Sequence, residues 1–272
     1  MLYFIIFILI SLAYFSYKYA WWTKTTNLNY PRILMYHMIS NHKKNAKFNG
    51  LRVSPIEFEK QIKYLHENGW NFFTMSELIE KKENLPSKSV AITFDDGYED
   101  NFTNALPILE KYNAKATIYL VLNRHDNEWS SKRKKKNNSG ELKNEPKLND
   151  EQVKKLLDSK LIEIGSHTMT HDNLPTLDEN KKIVEIRDSK IIIEELYNVD
   201  CKSFCYPFGL YDEKDITYVK ESGYTNATTT TKGIDNLSEA NPFELRRITV
   251  SGKDNMLAFR IKVKRGLKGL RK

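Results

Sequence analysis

The sequence predicts a parallel, barrel-like α/β domain, and three observations carry that reading. Short β-prone apolar runs alternate along the chain with segments of helical apolar spacing. Several runs stop abruptly at polar or charged residues, as buried strands do where they meet the loops at the carboxyl end of a parallel sheet. At 272 residues, with 40% hydrophobic and 12% aromatic residues, the chain can fill one such barrel and carry appendages.

Arg32 to Ile39 reads as the first buried strand, ending near His37. Ser54-Pro55-Ile56-Glu57 then supplies an N-cap serine, a proline at the first helical position and a capping-box glutamate. The helix runs to about Asn68, with Phe58, Ile62 and Leu65 on its apolar face and Gly69 as its stop. Asn71 to Thr74 is a short strand, and Thr74 with Glu77 caps a helix through about Glu83. Val90 to Phe94 is the central buried strand, closing on Asp95, Asp96 and Gly97. A helix over Asn101 to Tyr112, which Pro107 is expected to kink, leads to a strand at Ala116 to Val121. Residues 123–147 break the alternation with the basic run Lys132 to Lys136 and a cluster of Asn, Ser and Gly, and read as a mobile surface insertion. Asn149 and Gln152 cap a helix to about Ser159, and the strand Leu161 to Gly165 hands over to Ser166-His-Thr-Met-Thr-His171. Helix Asp178 to Tyr197, strand Ser203 to Tyr206, helix Glu213 to Ser222 and strand Thr225 to Thr230 bring the total to roughly seven strands.

The net charge of +8 suggests a nucleic-acid partner until it is located. Arg260 to Lys272 hold seven Lys or Arg and no acid, which leaves about +1 for the rest of the chain, so nucleic acid is excluded as the expected partner. Residues 253–272 read as a basic amphipathic tail in which Ile261, Val263, Leu267 and Leu270 interleave with cations, a pattern suited to an anionic membrane surface. Cys201 and Cys205 are too far apart along a strand to bridge easily and read as free thiols.

Met1 to Tyr17 contains no charged residue, and the apolar run resumes after Lys18 through Trp22. Residues 1–22 are therefore expected to form a single transmembrane anchor, followed by a linker over 23–31. The cations Lys18, Lys24, Arg32, Lys43, Lys44 and Lys47 all follow that segment. By the positive-inside rule they place the main domain, residues 32–252, on the cytoplasmic side of a bacterial inner membrane, an external placement staying open.

Asp95 and Asp96 end the central strand as neighbours pointing opposite ways, which suits one to hold a metal and the other to handle a proton. His167 and His171 lie four apart just after another strand, so that in a helical turn they face the same way. Two imidazoles and a carboxylate make a facial site for a divalent ion. Asp96, His167 and His171 are the expected ligands, the ion acidifying a water whose proton Asp95 takes. The acid that protonates a leaving amine is best sought in His37, at the end of the first strand.

At this point the chain resembles the polysaccharide deacetylases of the NodB-homology, carbohydrate esterase 4 type. Thr93-Phe-Asp-Asp-Gly-Tyr98, Ser166-His-Thr-Met-Thr-His171 and Tyr206-Pro-Phe-Gly-Leu-Tyr211 are similar, in order, to that family's first three motifs, over roughly Arg32 to Gly252. The resemblance implies a distorted (β/α)7-type barrel that uses a divalent metal to remove N-acetyl groups from amino sugars of an envelope polysaccharide or lipid-linked glycan. It implies Asp95 as base, Asp96, His167 and His171 as metal ligands, and Tyr206, Pro207 and Phe208 at the substrate groove, with the Phe208 N–H facing the oxyanion. Met35-Tyr-His-Met-Ile39 is similar to the amino-terminal motif of the poly-N-acetylglucosamine subgroup, in which that histidine is the acid. Two departures stand out: no arginine precedes Pro207-Phe208-Gly209, and no late Leu-x-Leu-His motif follows. Arg246 or Arg247 is the candidate to orient Asp95 instead. Nitrogen and oxygen donors suit zinc first, with cobalt, nickel or manganese fitting similarly. Two other classes compete with the deacetylase: a non-catalytic carbohydrate-binding or scaffold protein on the same barrel, and a metal-dependent phosphodiesterase.

Overall fold

The computed structural model describes residues 1–20, 22–125 and 140–269. The expected basic run Lys132 to Lys136 lies outside the described residues. A ring of seven parallel strands forms the centre: β1 (Arg32–Tyr36), β3 (Ser89–Asp95), β4 (Ala116–Leu120), β5 (Ile162–Ser166), β6 (Ser203–Cys205), β7 (Asn226–Lys232) and β8 (Leu245–Thr249). Pairing of β1 with both β3 and β8 closes it. The eighth strand, β2 (Asn71–Phe73), lies outside the ring and pairs with residues 89–91 of β3, while β4 takes over at residues 92–95. This shared edge is the distortion of the barrel.

A seven-strand barrel therefore stands, but its membership differs from the sequence reading. The short run at Asn71, one of the seven expected strands, falls outside the closure. Leu245-Arg-Arg-Ile-Thr249, not expected as a strand, supplies the closing one. Two adjacent arginines hide its β character, and only a carboxylate from another strand makes burying one of them tolerable.

Side chains alternate across each strand, so one set faces the barrel interior and the other the surrounding helices. Val90, Ile92 and Phe94 join the large core between barrel and helices. Ala91 belongs instead to a smaller interior cluster with Ile33, Tyr119, Cys205 and Leu245, which Met75 and Leu78 of α3 (Met75–Glu80) cover from below. Thr93 and Asp95 share the inward parity of Ala91; on β8, Arg247 shares that of Leu245.

The outer helices follow their sequence signals. The Ser54 hydroxyl accepts from the Glu57 N–H at the start of α2 (Pro55–Glu67), and full capping boxes form at Thr74 with Glu77 and at Asn149 with Gln152, the latter opening α5 (Asp150–Asp158). Pro107, which lacks an N–H, is accommodated by a π turn at Asn101–Ala105 ahead of α4 (Leu106–Lys111). A second π turn at Val184–Asp188 joins α6 (Glu179–Ile183) to α7 (Ser189–Tyr197), and α8 (Glu213–Glu221) follows β6.

The ends of the chain correct the membrane reading. Among the described residues no helix is long and apolar enough to cross a membrane. The amino-terminal helix α1 (Leu2–Tyr19) has 18 residues, which at about 1.5 Å each span about 27 Å, short of a hydrocarbon core of about 30 Å. It also stops early for a tertiary reason. Ala20 turns left-handed, and the Arg265 guanidinium donates to the carbonyls of Tyr19 and Ala20. The last turn is thereby buried against α9 (Met256–Arg265), through Tyr19, Ala258 and Ile261. Ile261 and Val263, read as membrane-facing side chains of a tail, are buried in the domain. Arg32 fastens that helix to β1 by donating to the Val263 carbonyl at 2.8 Å.

Candidate active site

Asp95 is the last residue of β3 and points into the barrel, where the Arg247 guanidinium meets it with both forks: Nη1 donates to Oδ1 at 2.7 Å and Nη2 to Oδ2 at 2.8 Å. Arg247 is 0% exposed and Asp95 3%. The remaining donors of Arg247 reach the Thr229 carbonyl at 2.8 Å and the Thr93 hydroxyl at 3.1 Å, so its position is over-determined. Burial pushes the Asp95 carboxyl up, but the adjacent guanidinium outweighs it and holds the group below the usual carboxylate range. Arg246 points the other way and pairs with Asp235. Of the two candidate arginines, Arg247 alone contacts Asp95.

Asp96 follows with φ of 79°, a left-handed turn that swings its carboxylate away from Asp95 and toward the β5 loop. Its Oδ1 lies 3.5 Å from His167 Nε2 and 3.5 Å from His171 Nε2, and the two Nε2 atoms are 3.2 Å apart. The imidazoles do not converge through a helical turn, as the four-residue spacing suggested. They sit in a loop in which Thr168 (73°) and His171 (58°) both take left-handed backbone conformations. The Ser166 hydroxyl accepts from Thr168 N–H, the Thr168 hydroxyl accepts from His171 N–H, and Glu185 accepts from Thr170 N–H. Left-handed conformations at non-glycine residues cost of order 1–3 kcal/mol each and concentrate where function over-determines the backbone. A β-branched threonine in that region is a pronounced case.

The donor set fits a divalent cation. His167 Nδ1 lies 2.7 Å from the Cys205 carbonyl, which can only accept, so Nδ1 carries the hydrogen and Nε2 presents its lone pair. Two imidazole nitrogens and a carboxylate oxygen separated by 3.2–3.5 Å have the spacing of ligands around one ion at about 2.0–2.2 Å. Burial opposes charge on Asp96, yet the two imidazoles hold its carboxyl well below the usual range. A second cluster of Asp95, His167 and Cys205 also lies close together, but the Arg247 guanidinium touches both the Asp95 carboxylate and the Cys205 sulfur, and its charge opposes a second cation there.

The remaining candidates divide. His37 Nε2 lies 3.9 Å from Asp95 Oδ2, with its side chain 17% exposed, and Asn101 of the π turn holds its loop by donating to the His37 carbonyl at 2.9 Å. Phe208, at φ of 58°, places its ring edge-on to His171 with centroids 4.5 Å apart. Gly209 follows at φ of 67° with Thr230 pressed against the place a Cβ would occupy, which forces the turn to carry glycine there. Pro207 is buried beneath. Tyr206 stands apart from the expected groove: its ring is fully buried, stacked on Tyr211 at 4.5 Å and edge-on to Phe204.

A family model for polysaccharide deacetylase matches residues 82–227, a span containing Asp95, Asp96, His167, His171 and Phe208. The chain belongs to the polysaccharide deacetylase family. It is 33% identical over 233 residues to YxkH of Bacillus subtilis (strain 168), a protein named as a polysaccharide deacetylase, covering 85% of this chain and 75% of that one. It is 26% identical over 210 residues to the poly-beta-1,6-N-acetyl-D-glucosamine N-deacetylase of Staphylococcus aureus (strain MRSA252), covering 72% and 68%. Among solved structures, the Streptococcus pyogenes deacetylase PplD in complex with acetate superposes with a TM-score of 0.69 at 25% identity, over 85% of this chain and 95% of that one. As a member of this family the protein is a hydrolase of carbon–nitrogen bonds other than peptide bonds.

Several residues around the deacetylase site had no role that could be read from the sequence. The Cys205 carbonyl sets the tautomer of His167, and its sulfur lies 3.2 Å from Arg247 Nη2. A backbone carbonyl cannot be read from residue type. Tyr98, at the end of the first motif, is buried beside Asp96, with the Lys147 ammonium 4.5 Å over its ring. Lys147 belongs to the segment expected to be a mobile insertion, but residues 140–147 are anchored. Arg52 donates to Glu141 at 2.8 Å and to Glu145 at 2.9 Å, and Lys147 donates to the carbonyls of Leu142 and Glu145.

Proposed function

We propose that this deacetylase hydrolyses the N-acetyl amide of an amino sugar in an envelope polysaccharide, with a divalent cation at Asp96, His167 and His171, Asp95 as base and His37 as acid. One observation carries the reading: a carboxylate kept ionised by a buried guanidinium lies at the end of the same strand as a three-donor cation site, with an imidazole 3.9 Å from it. When bound, a divalent ion supplies Lewis acidity that acidifies a water and polarises the amide carbonyl, and zinc, cobalt, nickel or manganese would suit these donors.

The chain's own residues supply the proton traffic. Asp95 accepts a proton from the attacking water; its ion pair with Arg247 keeps it in the acceptor form and fixes its direction. His37 Nε2 delivers a proton to the leaving nitrogen, so that amide and water end as free amine and acetate. The Phe208 N–H offers a donor to the developing oxyanion. The name of the Staphylococcus aureus relative supports N-acetylglucosamine polymers as the substrate class.

The test is acetate release from N-acetylglucosamine oligomers by metal-loaded protein. Asp95→Asn should lower kcat by about 10²–10⁴-fold with metal content unchanged; acetate release at the wild-type rate would remove Asp95 from the mechanism.

A further inference from the structure

Apart from the active site, the described residues form a half-open cavity of about 890 Å³ between the carboxyl ends of β7 and β8, the loop after β8 and the end of α9. Its wall is made by Lys232, Arg246, Lys253, Lys262 and Lys268, with Asp254 among them. Lys262 and Lys268 both turn to Asp254, and Arg246 pairs with Asp235 behind the wall, so two carboxylates face five cations. Lys232 and Lys253 are exposed and have no carboxylate partner among the described residues. The crowding of like charge registers on Lys262. Burial lowers its ammonium, Asp254 partly restores it, and Lys268 and Lys232 lower it again. Charge of one sign is gathered there beyond what the fold neutralises, in a concavity that focuses the field.

The location says what the excess is for. Lys232 and Thr249 end their strands at the same barrel face as Asp95. Arg246 is the chain neighbour of Arg247, pointing out of the barrel where Arg247 points in. A glycan chain with one sugar at Asp95 that continues across that face past the ends of β7 and β8 meets the cavity at Lys232 and Thr249, and the rest of the cavity follows the outer flank of β8 and α9. Compact lysine ammonium groups around a cavity this size match the oxyanion of a phosphoester rather than a neutral sugar ring.

We infer that this cavity is an anion subsite for a phosphoester carried on the glycan substrate, which makes the deacetylase selective for phosphorylated, N-acetylated polysaccharide. The inference rests on the deacetylase reading above and refines its substrate class.

The experiment compares two N-acetylglucosamine oligomers of equal length, one neutral and one bearing phosphomonoesters, with metal-loaded wild type and the double variant Lys232→Glu, Lys253→Glu. Wild type should show a KM about tenfold lower for the phosphorylated oligomer, about 1.4 kcal/mol. The variant should lose that preference while keeping kcat and the KM for the neutral oligomer. Equal KM values for both oligomers in wild type overturn the subsite while acetate release leaves the deacetylase reading intact. Should neither oligomer be turned over, calorimetric titration with the phosphorylated oligomer decides: tighter binding to wild type than to the variant supports the subsite, and equal binding overturns it. Binding to phosphatidylglycerol vesicles that the variant loses, without discrimination between the oligomers, assigns the cations to a lipid headgroup and likewise overturns the proposal.

Discussion

Replacing Arg247 by Met removes the guanidinium that holds Asp95 while keeping an unbranched chain of similar bulk. The structure sets the magnitude. Two charge-assisted bonds to Asp95 disappear, the Thr229 carbonyl and Thr93 hydroxyl lose a donor, and everything involved is buried. Removing one partner of such a pair leaves an uncompensated buried charge and costs about 3–5 kcal/mol, a large share of the roughly 5–15 kcal/mol that stabilises a domain. Because Asp95 is held below its unfolded pKa, its contribution is fully present above the usual carboxylate range and is lost in acid. The penalty of Arg247→Met should thus be largest near neutral pH and shrink as Asp95 protonates. Burial is the largest influence on Asp95, so without the guanidinium its pKa should rise above the usual value, moving the acid limb of the kcat/KM profile for acetate release to higher pH. Urea unfolding at pH 7 and at pH 4, with a pH–rate profile, reads both effects. Arg247→Lys, which keeps the charge and loses the fork, should fall between. An acid limb that does not move, together with a stability loss under about 1 kcal/mol, would refute the reasoning.

Other expectations follow from single groups. Burial raises Asp100 to about 6, so between the unfolded value of 3.8 and about 6 the native state binds more protons and stability falls as pH rises. Asp100→Asn should stabilise the protein at pH 7 by up to about 3 kcal/mol and give no gain below pH 4, as thermal unfolding at the two pH values will show. A chelator should lower Tm if a divalent ion is held at Asp96, His167 and His171, because an ion that binds only the native state stabilises it by mass action; His171→Ala should abolish that dependence, and a chelator-insensitive Tm would speak against a bound ion. The buried Tyr206 hydroxyl has no hydrogen-bond partner among the described residues, so Tyr206→Phe should leave acetate release unchanged and stability unchanged or slightly raised. A kcat/KM loss above tenfold would return Tyr206 to the substrate groove.

Chain-local features were legible wherever residue type and spacing carry the physics. Caps at Ser54, Thr74 and Asn149 read directly, because the side chain and the N–H it accepts from are three residues apart. The buried strand ending at Asp95, with Asp96 just after it, read equally well, since a short β-prone run largely apolar on both faces suits a parallel sheet covered on both sides. Interactions between distant segments were not legible. Strand β8 was hidden because Arg247 looks like a surface residue until Asp95, 152 positions earlier, is seen opposite it. The span expected at residues 1–22 ignored Arg265, which claims the carbonyls of Tyr19 and Ala20 and ends the helix.

By itself the sequence determined the alternation of strands and helices, the three motifs, and the residue types that could bind a cation or move a proton, because these depend on neighbours within a few residues. Only the tertiary structure decided which strands close the barrel, which arginine grips Asp95, how a left-handed loop brings His167 and His171 to Asp96, and where the spare lysines gather. Each of those depends on groups far apart in the chain being buried together, where a charge or polar atom is tolerated only if its partner is already in place.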